Sequence, residues 1–187
     1  MPQTLREQLA HALSLKEEGN FYFKQKDYTN AIKKYSRVRA FLKPMVPTAD
    51  QDNDQFVSMI AGKGSESQLT KDEQKQATTV MAATFLNMSI CYFLTEQYKR
   101  SADRASESIG YQKTIKAHYR RAKALAAIKD YWGACKDLKE ALKMDKSDPN
   151  NFKHELAQFE ALAKQKDKKS DSKLRGFLNK TQEVDQE

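Results

Sequence analysis

At 187 residues and 21.5 kDa, the chain suits one compact domain or a short repeat array and excludes a catalytic domain beside a separate recognition domain. Apolar residues at 39%, charged residues at 31%, and only 6 Gly and 4 Pro favour helices over a turn-rich β sandwich or a disordered chain. A net charge of +8 points to an anionic partner among nucleic acid, lipid headgroups and acidic peptides, without choosing. Cys91 and Cys135 are too few for a disulfide framework, no Cys/His cluster has metal-ligand spacing, and Met1 to Lys16 lacks the apolar run of a signal peptide. No cofactor, no metal and a cytoplasmic location are expected.

The first unit, near residues 12–43, pairs a helix through Gly19 with a second through Ala31, Tyr35 and Val38, across the turn Lys26-Asp27-Tyr28. Residues 44–69 follow as an insertion. Pro44, Pro47, Asp50, Asp52, Asp54, Gly62, Gly64 and Ser65 predict a loop, with a short helical turn at Phe56–Ile60. Thr70-Lys71-Asp72-Glu73 has the spacing of a capping box and opens a helix running to Thr95. Its uncharged stretch Gln76–Thr95 is long enough to span a bilayer, yet it holds seven polar residues; a buried helix of a soluble domain, with no membrane span, is the expectation.

The second unit, 82–114, turns at Glu96-Gln97-Tyr98, and the third, 115–147, at Lys129-Asp130-Tyr131. Ser147-Asp148-Pro149 then predicts a helix start with Asp148 as cap and Pro149 in the first position. Phe152, Leu156, Phe159 and Leu162 or Ala163 recur at helical spacing, so a seventh helix covers the last unit; beyond Lys164 it frays or continues in solvent. The three units share one register. The small residue of each first helix is Gly19, Ser89 or Ala122; three residues on stand Tyr22, Tyr92 and Leu125; twelve on, Ala31, Ser101 and Ala134; nineteen on, Val38, Ser108 and Ala141. Small side chains at fixed offsets let antiparallel helices approach, with Tyr35 and Leu138 filling the space beside them.

This pattern resembles the tetratricopeptide repeat (TPR), and the resemblance implies an all-α fold: three helix-turn-helix repeats stacked in a right-handed superhelix plus a C-terminal capping helix. Residues 1–147 form the repeat domain, with the inserted loop 44–69 and an extended helix 70–95; residues 148–187 form the capping helix and polar tail. First helices of such an array line a groove. Lys16 and Asn20 share one face of the first, Asn87 lies on that of the second repeat, and Lys116 and Arg120 share a face of the third.

This set, together with Leu15-Lys16-Glu17-Glu18-Gly19-Asn20 and Lys116-Ala117-His118-Tyr119-Arg120-Arg121-Ala122, is similar to the dicarboxylate clamp of TPR co-chaperones. There the clamp holds the C-terminal Glu-Glu-Val-Asp of heat-shock protein 90 or heat-shock protein 70. By that resemblance Lys16, Asn20 and Asn87 take the terminal carboxylate, Lys116 the Asp side chain, and Arg120 the peptide backbone or a preceding acid. Ala163 to Asp167 and Lys173 to Leu178 look like the tail after the repeats of large immunophilins and aryl hydrocarbon receptor-interacting proteins. No isomerase domain precedes them, so a stand-alone, monomeric, non-enzymatic adaptor is expected.

The charge agrees: residues 1–43 carry +5 (nine basic, four acidic), 44–81 carry −3 (three, six), 82–147 carry +6 (thirteen, seven), and 148–187 balance at eight each. Other readings stay open at this point. The array could take another acidic peptide; the basic surface could bind RNA; and Lys164–Lys180 with Leu174, Phe177 and Leu178 could dock calmodulin or a client. Glu183-Val184-Asp185 imitates the chaperone tail without its terminal carboxylate. A Cys91–His118 dyad is the one arrangement suggesting catalysis.

Overall fold

The computed structural model describes residues 4–46, 69–148 and 151–184. Seven α-helices appear there: α1 (Leu5–Lys24), α2 (Tyr28–Leu42), α3 (Lys71–Leu94), α4 (Tyr98–Tyr111), α5 (Ile115–Ala127), α6 (Tyr131–Met144) and α7 (Phe152–Val184). Among the described residues there is no strand. Each helix packs on the next in sequence, and α1 also touches α3 as α3 touches α5. That pattern is the stacked array of helix pairs expected from the repeat.

All nine small or branched residues of the shared register are buried: Gly19, Ser89, Ala122, Ala31, Ser101, Ala134, Val38, Ser108 and Ala141. In the middle repeat the buried positions are hydroxyls, and each is satisfied. Ser89 Oγ and Ser101 Oγ lie 3.1 Å apart, Ser101 Oγ donates to the Ser89 carbonyl at 2.9 Å, and Ser108 Oγ to that of Ala82 at 2.9 Å. The satisfied hydroxyls avoid the desolvation penalty of an unpaired buried group. One apolar cluster spans α1, α2 and α3, and it includes Met45, Val46 and Leu69 at the two ends of the insertion. A second spans α5, α6 and α7 around Leu138 and Phe152.

The three interhelix turns are built alike. Lys26, Glu96 and Lys129 have φ of 61°, 60° and 63°. In each, the N–H one residue further on reaches back to a carbonyl in the last helical turn: Asp27 to Tyr22 at 3.0 Å, Gln97 to Tyr92 at 2.8 Å, and Asp130 to Leu125 at 2.9 Å. This is the Schellman arrangement, which satisfies carbonyls a helix end leaves orphaned. Asp27 and Asp130 then cap the next helix through the amides of Asn30 and Gly133.

Two helix starts add to the sequence reading. Helix α1 begins at Leu5, two turns before the first repeat, because Thr4 and Glu7 form a capping box. Helix α7 begins at Phe152, where the sequence placed Pro149. Asp148 still caps it: its carboxylate accepts from Phe152 N at 2.6 Å and Lys153 N at 3.1 Å, over a turn closed by the Asn151 N–H on the Asp148 carbonyl.

Helix α3 has the box at Thr70 and Glu73 and is long and apolar enough to cross a membrane by length and hydropathy. Here its apolar residues Val80, Met81, Phe85 and Met88 are buried in the core. The loop expected over 44–69, with its turn at Phe56–Ile60, lies outside the described residues except at 44–46 and 69. Ala163, not Leu162, is the buried member of the last pair on α7, and the helix continues in solvent beyond Lys164.

Candidate functional site

The groove side of the array is carried by α1, α3 and α5, which touch in that order. Asn20 on α1 and Asn87 on α3, 67 residues apart in sequence, meet directly: Asn87 Nδ2 donates to Asn20 Oδ1 at 3.2 Å. The Tyr35 hydroxyl, reaching in from α2, donates to the same oxygen at 2.9 Å and lies 3.4 Å from Asn87 Nδ2, whose proton it accepts. On the solvent side Asn20 Nδ2 donates to Glu17 Oε2 at 3.2 Å, and Lys16 Nζ to Glu17 Oε1 at 3.3 Å. Lys16, Asn20 and Asn87 therefore belong to one bonded network. Lys116 is exposed and Arg120 half-buried on α5; among the described residues neither has a hydrogen-bonded or ion-paired partner.

Local sequence explains how the tyrosine reaches the site. Gly19 precedes Asn20 on α1, and a Cβ there would stand 2.5 Å from Tyr35 Cε1 on α2. Only a missing side chain lets the ring lie against α1, so Tyr35 is fully buried with its hydroxyl at the groove floor. Burial, more than the nearby Cys91 and Glu17, pushes its phenol up to about 12, against a lowering contribution from Asn87. The Glu17 carboxyl is held below its ordinary value by the Asn20 amide first and by Lys16 next. It is an exposed carboxylate already seated on two of the candidate donors.

Glu17 and Tyr35 are the residues the sequence reading did not assign to the site. Tyr35 was expected only as a space-filling residue; the signal that could have found it is a hydroxyl-bearing aromatic where the third repeat has Leu138. A second polar cluster lies within repeat three. Arg121 forks onto Asp137, Nε to Oδ2 at 2.7 Å and Nη2 to Oδ1 at 2.6 Å. His118 Nδ1 lies 2.9 Å from Asp137 Oδ1, and Arg121 Nη1 donates to Ser106 Oγ on α4 at 3.1 Å.

His118 is thus engaged with Asp137, and burial pushes the Cys91 thiol up to about 12, the opposite of what a nucleophilic thiolate needs. Among the described residues no group of three His, Cys, Asp or Glu could hold a metal ion. Three tyrosines of the basic repeats are used in packing: Tyr22 and Tyr92 lie against the core, and Tyr98 meets Phe93 edge-on at 5.2 Å.

Comparison with solved structures agrees with the stacked helix pairs of the fold. The C-terminal TPR-containing domain of a putative FK506-binding protein from Plasmodium falciparum superposes with a TM-score of 0.65 at 22% identity, over 89% of this chain and 97% of that one. The fold is that of a TPR domain. The first TPR of Spaghetti (RPAP3), bound to the HSP90 peptide SRMEEVD, matches at TM-score 0.54 and 21% identity over 81% and 93% of the two chains. The TPR2B domain of yeast Sti1, in complex with pHsp70, matches at 0.54 and 18% over 83% and 97%. In sequence, unc-45 homolog B of Xenopus laevis is 28% identical over 134 residues, which is 71% of this chain but 11% of that protein. No protein-family model matches the chain.

Proposed function

We propose that this TPR array is a non-enzymatic, cytoplasmic adaptor that binds the acidic C-terminus of heat-shock protein 90, heat-shock protein 70 or both. The observation that carries it is the contact of Asn20 with Asn87 across 67 residues, with Lys16 joined to the same network through Glu17. The Asn20 amide and the Lys16 ammonium of α1, braced from α3 by Asn87, converge there, as a chain-terminal carboxylate requires. Lys116 and Arg120, one turn apart on α5, suit the acidic side chain and backbone that precede the terminus. The presence of chaperone peptides on the similar domains of Spaghetti and Sti1 supports the same ligand class here. Charge-assisted hydrogen bonds of about 1.5–3 kcal/mol each, set against ordering costs, suggest roughly −8 kcal/mol, or micromolar affinity.

Titration with a peptide ending Met-Glu-Glu-Val-Asp, free and C-terminally amidated, tests the reading. Binding of the free acid should be lost on amidation and in Lys16→Ala or Arg120→Ala. Equal affinity for the two peptides would overturn the clamp. Steeply salt-dependent binding of mixed-sequence RNA, unaffected by excess peptide, would favour nucleic acid instead.

A further inference from the structure

A side-chain amide presents either an acceptor or two donors, and its two ends are nearly the same size. A site that must offer donors to a carboxylate therefore needs something to decide which end faces the ligand. Asn20 has both ends occupied by groups of defined character. Its NH2 meets Glu17, whose ionised carboxylate can only accept, and its oxygen receives the Tyr35 hydroxyl at 2.9 Å and the Asn87 amide at 3.2 Å.

The hydroxyl is itself constrained. It accepts from Asn87 Nδ2 at 3.4 Å, so its own proton is free to go to Asn20, and the ring that carries it is fixed against Gly19. A buried oxygen deprived of this donor would be left with Asn87 alone, and the inner side of the site would hold the amide less firmly, leaving the exposed Glu17 as its other restraint.

We infer that Tyr35 is a positioning residue of the groove: its buried hydroxyl holds the Asn20 oxygen inward and so keeps the Asn20 NH2 turned toward an incoming carboxylate. Glu17 occupies that NH2 in the unliganded protein, and the terminal carboxylate of the ligand takes its place. This rests on the clamp reading above, but the orientation of Asn20 exists without ligand and can be measured alone.

Tyr35→Phe is the informative variant, because it keeps the ring against Gly19 and removes only the hydroxyl. In nitrogen-15 spectra of the free protein, the side-chain NH2 signals of Asn20 and Asn87 should both shift in Tyr35→Phe, while most backbone signals stay in place. Unchanged Asn20 and Asn87 signals would overturn the inference whatever the peptide does.

With the free-acid peptide, loss of one hydrogen bond worth about 1 kcal/mol predicts roughly fivefold weaker binding, and the preference for free acid over amide should narrow. In an Asn20→Ala background the same Tyr35→Phe change should have no further effect on affinity, since nothing remains to be positioned. A wild-type protein that discriminates the free acid while Tyr35→Phe binds it equally well would overturn the positioning role and leave the clamp standing. Equal wild-type affinity for both peptides would overturn the clamp, and with it the ligand part of this inference.

Discussion

The first and third repeats place charged partners at the same two points and obtain opposite kinds of interaction from them. Immediately before the small residue of the first helix stand Glu18 and Arg121; fifteen residues after it, on the second helix, stand Lys34 and Asp137. Each pair forms an ion pair, with the signs exchanged. In repeat one the pair is half-buried, whereas Asp137 in repeat three is almost fully buried and also holds His118. The next residue along completes the contrast: Tyr35 in repeat one points a hydroxyl at the groove, and Leu138 in repeat three fills an apolar core. One scaffold thus uses its polar capacity for the groove at one end and for holding helices together at the other.

The strongest way to break this contrast is Asp137→Ala. Removing one partner of a buried ion pair costs about 3–5 kcal/mol, so the urea midpoint should fall sharply, and a loss near 1 kcal/mol would show that the cluster does not hold α4, α5 and α6 together. A second test is alkaline pH. The Tyr35 phenol titrates near 12 in the fold and near 10 unfolded. Because the fold favours the neutral phenol, stability is unaffected below pH 10 and falls as pH rises toward 12, by on the order of a few kcal/mol. Stability curves of wild type and Tyr35→Phe should diverge over that interval, and parallel curves would contradict it.

Gly19→Ala comes third. The added methyl meets the Tyr35 ring, and overpacking costs about 1–3 kcal/mol, offset by up to about 1 kcal/mol of helix propensity; thermal melting should show a net loss. The smallest effect is expected for Lys34→Ala, which breaks a half-buried, still solvated pair worth about 1 kcal/mol or less. Its denaturation midpoint should move far less than that of Asp137→Ala.

The array was legible because packing leaves a periodic trace. Nine positions in one register and three turns recur at fixed offsets, and each chooses residue size in a way the sequence displays. The candidate donors were legible as residue types at helical spacing. Their partners were not, because a hydrogen bond between Asn20 and Asn87, or between His118 and Asp137, joins residues on different helices and imposes no period. Tyr35 illustrates the limit: as a large residue it satisfies the packing pattern completely, so nothing in the pattern reveals that its hydroxyl has a second task. Asp148 shows another, since a cap four residues ahead of its helix's first residue looks from sequence like an adjacent one.

The turns at Lys26, Glu96 and Lys129 put side chains where L-residues are strained, in the left-handed region. Such a conformation costs about 1–2 kcal/mol for a residue with a Cβ, and glycine escapes most of it. The protein accordingly carries engineering headroom of a few kcal/mol at its corners, at positions that are not themselves donors of the groove. A thermostable version of this scaffold could be reached by redesigning three surface turns, with the recognition chemistry left as it stands.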